Sequence, residues 1–350
     1  MTDRLDADLP CPVRDGFAWP AEWAPHARTW MCWPCRVEVW GGPDGLLRAK
    51  QAFARVARAI SSFEPVTMAV RPHDAAEAKL ACAGKVETFE VPLDDSWARD
   101  MGPTFLRGPQ GARAAVQWRF NAWGNKYHPY TEDAQLATRI ARHVEARVYA
   151  APMVCEGGAI HSDGEGTLIT TEQCLLNVNR NPDLTQQDVE ECLALYTGAR
   201  RVLWLGDGFS DEETDGHVDN IACFAAPGRV IVGIPAFKSH PDYEPACEAA
   251  RRLAAAHDAQ GRAIEVVEIE QPRRTRMDSR GRLLQASYVN FYLANGGVVM
   301  PAFDDPNDEK AREALAACFP GRDILQIDAL DIVEGGGGIH CITQQEPAAP

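Results

Sequence analysis

The sequence predicts an α/β protein assembled from five similar units, and three observations carry that prediction. Stretches of helical periodicity alternate with short β-branched runs along the whole chain. A polar or glycine-rich element leads into an apolar strand five times, at intervals of roughly 50 to 70 residues, a spacing that suits blades arranged around an axis. No run of about 18 apolar residues occurs, so no segment reads as a membrane span.

The helices announce themselves by spacing. In GLLRAKQAFARVARAI, Leu46, Phe53, Val56, Ala57 and Ile60 fall on one helical face. Leu136, Ile140 and Val144 recur every four residues behind Thr131, which reads as an N-cap. Thr185 followed by Asp188 has the form of a capping box ahead of Val189, Leu193 and Tyr196. Further helices are expected from Pro245 to Ala256 and from Asp308 to Cys318. Between them lie short runs rich in β-branched residues: VTMAV at 66–70, VETFEV at 86–91, RVLWL at 201–205, IEVVEI at 264–269 and ILQID at 324–328.

The repeated units begin at Arg99 (RDMGPTFLRG), Glu156 (EGGAIHSDGEGTLITT), Asp215 (DGHVDNIACFAAPGRVIVGI), Ala286 (ASYVNFYLANGGVV) and Gly335 (GGGGIHCITQQ). The last unit lacks a return strand, and the N-terminal ARTWMCWP can supply one, which would also remove a sheet edge. In a ring of such units the polar starts meet at the centre. Those starts hold Asp100, Glu156, His217, Asp219 and Cys341.

Composition narrows the function. The formal net charge of -15 argues against a nucleic-acid partner and suits a small cation. The N-terminal MTDRLDADLPCPVRDG is acidic and interrupted by proline, unlike a secretory signal. Eleven cysteines without framework spacing argue against a disulfide scaffold, and the expected compartment is the cytoplasm.

The residues at the unit starts match one demanding chemistry, hydrolysis of a guanidinium group. That cation is planar and stays protonated to about pH 12. A site must therefore grip its nitrogens with carboxylates, attack its carbon with a strong nucleophile such as a thiolate, and move protons with a group like histidine. Cys341 follows four glycines in Gly-Gly-Gly-Gly-Ile-His-Cys, where backbone can approach a ligand closely. His217 and Asp219 flank Val218 on an expected strand and would share a face. Trp97 and Asp100 lie in Trp-Ala-Arg-Asp-Met-Gly-Pro, and Glu156 opens Glu-Gly-Gly. Each alone reads equally well as core or as a satisfied polar group; the combination carries the argument. A phosphate-binding loop is ruled out, because no Lys-Ser or Lys-Thr follows Gly338.

The segments WARDMGPTF, EGGAIHSDGEGT, ETDGHVDN, ASYVNFYLANGGVV and GGGGIHCITQQEP together resemble the agmatine deiminase family of the guanidine-modifying superfamily. The N-terminal WPAEWAPHARTWMCWP extends the resemblance over nearly the entire chain. It implies one domain over 1–350, a five-bladed pseudo-symmetric α/β propeller. It further implies hydrolysis of agmatine to N-carbamoylputrescine and ammonia through a covalent amidino-cysteine, with no metal and no organic cofactor. By the same resemblance Cys341 is the nucleophile, His217 the general acid and base, and Glu156 the acid that positions and charges it. Asp100 and Asp219 hold the guanidinium, and Trp97 is an aromatic wall beside the substrate. The family's usual asparagine before Ile-His-Cys is replaced by Gly338, and its Trp-Pro-Glu-Arg-Pro-Asp-Asn-Trp segment by Trp33 to Trp40. Both departures bear on which guanidine is the substrate.

For the substrate's second cation the acidic run Asp211, Glu212, Glu213 and Asp215 offers carboxylates, and Glu213 is the choice; a solvated acidic loop is the plain alternative. Arginine and a peptidyl-arginine are the alternative substrates; free arginine would need a cation for its carboxylate, and Arg99 and Arg119 are the candidates. From another class, Cys32-Trp-Pro-Cys35 suggests a thiol redox or metal protein, although no second Cys-x-x-Cys occurs. A non-catalytic binder of polyamine-like cations would keep the carboxylates without needing the thiol. The partner expected is a small cationic guanidine, with neither nucleic acid nor membrane, and a homo-oligomer is compatible with the sequence.

Overall fold

The computed structural model describes residues 10–210, 213–278 and 280–349. Among them, sixteen strands form five separate small sheets in a mixed α/β fold. The sheets share one plan: an antiparallel pair, then a helical crossover, then a strand added in parallel. In the unit that starts at Arg99, β4 (Thr104–Arg107) pairs antiparallel with β5 (Arg113–Arg119), and β6 (Arg147–Val154) joins β5 in parallel. β7 (Ile160–Ser162), β8 (Thr167–Thr171) and β9 (Arg201–Leu205) repeat it. So do β10 (Ala222–Ala226), β11 (Arg229–Ile234) and β12 (Glu265–Glu270), and β13 (Tyr292–Ala294), β14 (Gly297–Ala302) and β15 (Asp323–Asp328). The fifth sheet joins the two ends of the chain. β16 (Thr343–Pro347) pairs antiparallel with β1 (His26–Cys32), which continues in parallel to β2 (Val66–Val70) and β3 (Glu87–Glu90). The expected return strand from the N-terminal segment is therefore present.

The crossovers follow from sequence. Pro43 opens the helix Pro43–Ile60, where its missing N–H costs nothing, and Ala49, Phe53, Val56 and Ile60 bury one face. The helix Gln186–Thr197 carries the capping box from Thr185 to Asp188 and ends on Gly198 in the left-handed region at φ 83°. Helices Tyr243–Ala254 and Asp308–Cys318 bridge the next two units. The helix behind Thr131 differs from expectation. A 3-10 turn, Asp133–Gln135, precedes the α-helix Leu136–His143, and Val144 lies just beyond its end. Thr131 does not cap it: Glu132 and Gln135 occupy the two N-cap positions, and the buried Asp133 accepts the backbone N–H groups of Asp94 and Asp95 at 2.9 and 3.1 Å. Among the described residues no helix is long and apolar enough to cross a membrane.

Inner strands such as β2 and β8 are buried along their whole length, as parallel strands covered on both faces must be. One line of aromatic packing ties this core to the polar centre. Phe53 meets Trp40 edge to face at 5.8 Å, and Trp40 stacks on Trp97 at 5.6 Å and 26°.

Candidate active site

Short irregular segments ahead of the strands carry the polar residues. Asp100 lies in a single helical turn, Ala98–Met101, before β4. Glu156 precedes the 3-10 turn Gly157–Ala159. His217 and Asp219 are not on a strand, contrary to expectation: His217 caps the 3-10 turn Val218–Asn220, which holds Asp219. The cause is local, since Asp215 and Gly216 adopt φ 58° and 84°, a left-handed pair that breaks the extended chain. Convergence survives the change. A Cβ placed on Gly158 would meet His217 Nδ1 at 2.6 Å, Asp219 Oδ2 at 2.9 Å and Asp100 Oδ1 at 3.0 Å. Only glycine leaves room for that close approach.

Cys341 and Asp100 open onto a cleft of about 320 Å³. Trp97 and Trp123 form an aromatic wall, and Gly335, Gly336 and Gly337 form part of its backbone lining. A Cβ on Gly337 would reach Trp97 at 2.5 Å, so the glycine run lets the chain lie against the indole. Cys341 Sγ is 3.5 Å from Asp219 Oδ2. Asp100 accepts the Gly158 N–H and the Trp123 Nε1–H, both at 2.9 Å, which fixes both its oxygens. Asp219 Oδ2 accepts from His340 Nδ1 at 2.9 Å, while its Oδ1 is buried with no hydrogen-bond partner.

His217 lies between two carboxylates, with Nδ1 3.9 Å from Asp100 Oδ1 and Nε2 3.7 Å from Glu156 Oε2. Neither contact is short enough to be a hydrogen bond, so both ring nitrogens are buried and unpaired. Burial opposes a charge on the ring, yet Asp100, Cys174 and Glu156 outweigh it and hold His217 well above the ordinary histidine range. Glu156 is itself buried, but Arg180, whose Nε is 2.7 Å from Oε1, and His217 keep it below the ordinary range. Asp219 is likewise held low against burial, chiefly by His340. Burial raises Asp100, with Asp219 and Glu156 adding to the effect. The Cys341 thiol is pushed well above its usual value by burial and by Asp219 and Asp100, with Gly338 and Asn290 opposing. A cation placed between the two aspartates would reverse the repulsion that now disfavours the thiolate.

Glu213 also lines the cleft. Its carboxylate is not solvated: Tyr127 donates to one oxygen and Arg282 to the other, and its side chain is 15% exposed. Asp215 points elsewhere, held by Arg180, Asn179 and Lys126 at 2.7, 3.0 and 3.0 Å. Asp211 and Glu212 lie outside the described residues. Neither arginine proposed as a carboxylate partner reaches the cleft. Arg99 is buried against Glu22 at 3.0 Å, and Arg119 lines a separate depression with Asp183 and Cys192. Among the described residues no lysine or arginine lines the cleft itself.

Residues 18–347 match the profile of the Porphyromonas-type peptidyl-arginine deiminases. The chain belongs to that family. Within it, this deiminase-family chain is 48% identical over 338 residues to a Legionella pneumophila protein whose own name, agmatine deiminase, is provisional; the match covers 96% of each. It is 42% identical over 365 residues to the agmatine deiminase of Pseudomonas aeruginosa, covering 96% of this chain and 97% of that one. Its structure superposes on that of the Enterococcus faecalis agmatine deiminase with a TM-score of 0.94 at 37% identity, covering 97% and 98% of the two chains.

Several companions of the deiminase-family site escaped the sequence reading. Arg180, Trp123, Asn290 and His340 each touch one of the expected residues, and Glu22 holds His340 from behind. His340 adjoins Cys341 and Asn290 sits in the quoted Ala286 motif, so adjacency could have found both. Glu22 likewise sits in the quoted N-terminal segment, whereas Arg180 carries no local signal.

Two buried triads, Glu22–His161–His340 and Glu156–Cys174–His217, bring potential metal ligands together. The first reads as an ion-pair network. The Phe224 N–H donates to His161 Nδ1 at 3.3 Å, which leaves the proton on Nε2, facing Glu22. In the second, Arg180 already supplies a positive charge to Glu156. The Cys32 and Cys35 thiols are buried and raised, by burial first and then by nearby carboxylates, the reverse of a reactive redox pair.

Proposed function

We propose that this protein hydrolyses agmatine to N-carbamoylputrescine and ammonia, with Cys341 as nucleophile. One observation carries the reading. A single cleft is lined by the Cys341 thiol, by Asp100 and by Glu213, with Asp219 beside the sulfur and no lysine or arginine in its described lining. Agmatine has a cation at each end, and the charged side chains of that lining are carboxylates.

The guanidinium lies between Asp100 and Asp219, beside Trp97. Its charge offsets the two carboxylates that oppose the thiolate, so binding itself promotes loss of the Cys341 proton to solvent, His217 being already charged. The sulfur attacks the guanidinium carbon, and the tetrahedral adduct collapses as His217 gives its proton to the departing nitrogen, releasing ammonia. Glu156, held ionised by Arg180, keeps His217 charged for that step. The covalent amidino-cysteine is then attacked by water, whose proton His217 takes, and the C–S bond breaks to give the urea and the free thiol. The chemistry calls for no metal or organic cofactor. Glu213 receives the distant ammonium. We read the five sheets as blades around a pseudo-fivefold axis in one domain spanning 1–350. The shared sheet plan, the joined chain ends and the meeting of five unit starts support that reading. We place the enzyme in the cytoplasm, acting on a small cation without nucleic acid or membrane.

Incubation with agmatine, arginine and a blocked arginine peptide, followed by ammonia measurement, tests the substrate. Agmatine should be turned over far faster than the other two. Equal turnover of all three would overturn the substrate while leaving the chemistry.

A further inference from the structure

The sulfur of Cys341 sits among groups that oppose its ionisation, yet one neutral donor reaches it. Asn290 Nδ2 lies 3.3 Å from Sγ, and Asn290 Oδ1 lies 3.5 Å from it. The orientation of this amide is set by its other contacts. The His340 backbone N–H donates to Oδ1 at 2.9 Å, while Nδ2 faces Asn220 Oδ1 at 3.1 Å and the Asp219 carbonyl at 3.4 Å. Exchanging oxygen and nitrogen would set donor against donor and acceptor against acceptor. Asn290 is 1% exposed. On its other side is Gly338, where a Cβ would come within 2.2 Å of Oδ1. Any side chain at 338 would have to displace Asn290, which gives the glycine before Ile-His-Cys a physical consequence in this chain.

We propose that Asn290 is a further catalytic residue, whose amide N–H donates to the Cys341 sulfur once it is ionised and so sets the supply of nucleophile. The proposal rests on the reading of Cys341 as nucleophile given above. The amide serves both states of the sulfur without moving: its oxygen can accept from the thiol, and its nitrogen can donate to the thiolate. Being neutral, it stabilises the thiolate without pairing with Asp219 or repelling the incoming guanidinium, as a lysine or arginine in its place would.

The test is the pH dependence of inactivation by chloroacetamidine, a small cationic alkylating agent, with the modified residue located by peptide mapping. In Asn290→Ala the profile should move to higher pH by about one unit, a roughly tenfold slower reaction at any pH below the thiol's range. Turnover of agmatine should fall in kcat with KM changed by less than about twofold. Asn290→Leu, similar in volume but without a donor, should behave alike and covers the case in which the smaller side chain leaves an unstable cavity. A folded variant of either kind whose profile coincides with the parent's would overturn the role of Asn290. Labelling of some other cysteine in the parent would instead bring down the reading of Cys341 itself.

Discussion

Replacing Arg180 with glutamine removes a charge that two carboxylates share. The Arg180 and Glu156 side chains are both fully buried, with Nε 2.7 Å from Glu156 Oε1 and Nη1 2.7 Å from Asp215 Oδ2. Two unit charges 2.7 Å apart attract by about 6 kcal/mol at an effective dielectric near 20, before desolvation is subtracted. Removing one member of a buried pair costs about 3–5 kcal/mol, because the other charge is stranded. Asp215 keeps Lys126 and Asn179, so the loss falls mainly on Glu156. A drop of about 3 kcal/mol in urea-unfolding stability at pH 7 is therefore expected. The sign of its pH dependence also follows. In the parent Glu156 is held below its ordinary range, so its stabilising contribution is present above about pH 4.3 and is lost as pH falls through the folded value. Without Arg180, burial raises that carboxyl, whose contribution is instead lost as pH rises. The stability gap between parent and variant should then shrink steadily from pH 7 toward pH 4.5. A gap below about 1 kcal/mol, or one constant across that range, would refute the reasoning.

Glu213→Gln should raise the KM for agmatine about tenfold while leaving n-butylguanidine, which lacks the second cation, nearly unchanged. Equal effects on the two substrates would remove Glu213 from tail recognition. Gly158→Ala should fold but lose at least about 99% of its turnover, since a methyl there intrudes among His217, Asp219 and Asp100; near-normal rates would contradict the close approach. The double variant Cys32→Ser, Cys35→Ser should retain turnover, because both thiols are buried and raised. Complete loss of activity in a folded double variant would revive the redox reading.

Much of this fold is legible because its elements are locally consistent. The helix Asp308–Cys318 and strands Val66–Val70 and Arg201–Leu205 lie where periodicity and β-branching place them. The capping box at Thr185 is equally visible. The misreadings lie where a distant partner overrides local pattern. Behind Thr131 the expected helix start is a 3-10 turn whose Asp133 is bound by Asp94 and Asp95, nearly forty residues away in sequence. The His217 strand fails for a reason that was readable, since Asp215-Gly216 is a turn pair. The site's unit starts are visible in sequence, but the long-range pairing of their supports is not. His340 meets Glu22 across 318 residues, and Arg180 reaches Glu156 from a loop with no periodicity. Glu213 was readable as acidic, but its pairing with Tyr127 and Arg282 depends on tertiary packing.

The most direct measurement is capture of the covalent intermediate. Acid quench during steady turnover of agmatine, followed by peptide mass mapping, should find an amidino group on the peptide that contains Cys341. It should disappear when agmatine is exhausted and be absent from a folded Cys341→Ala variant, which should not release ammonia. Steady ammonia release by that variant, or an adduct carried by another cysteine, would contradict the account.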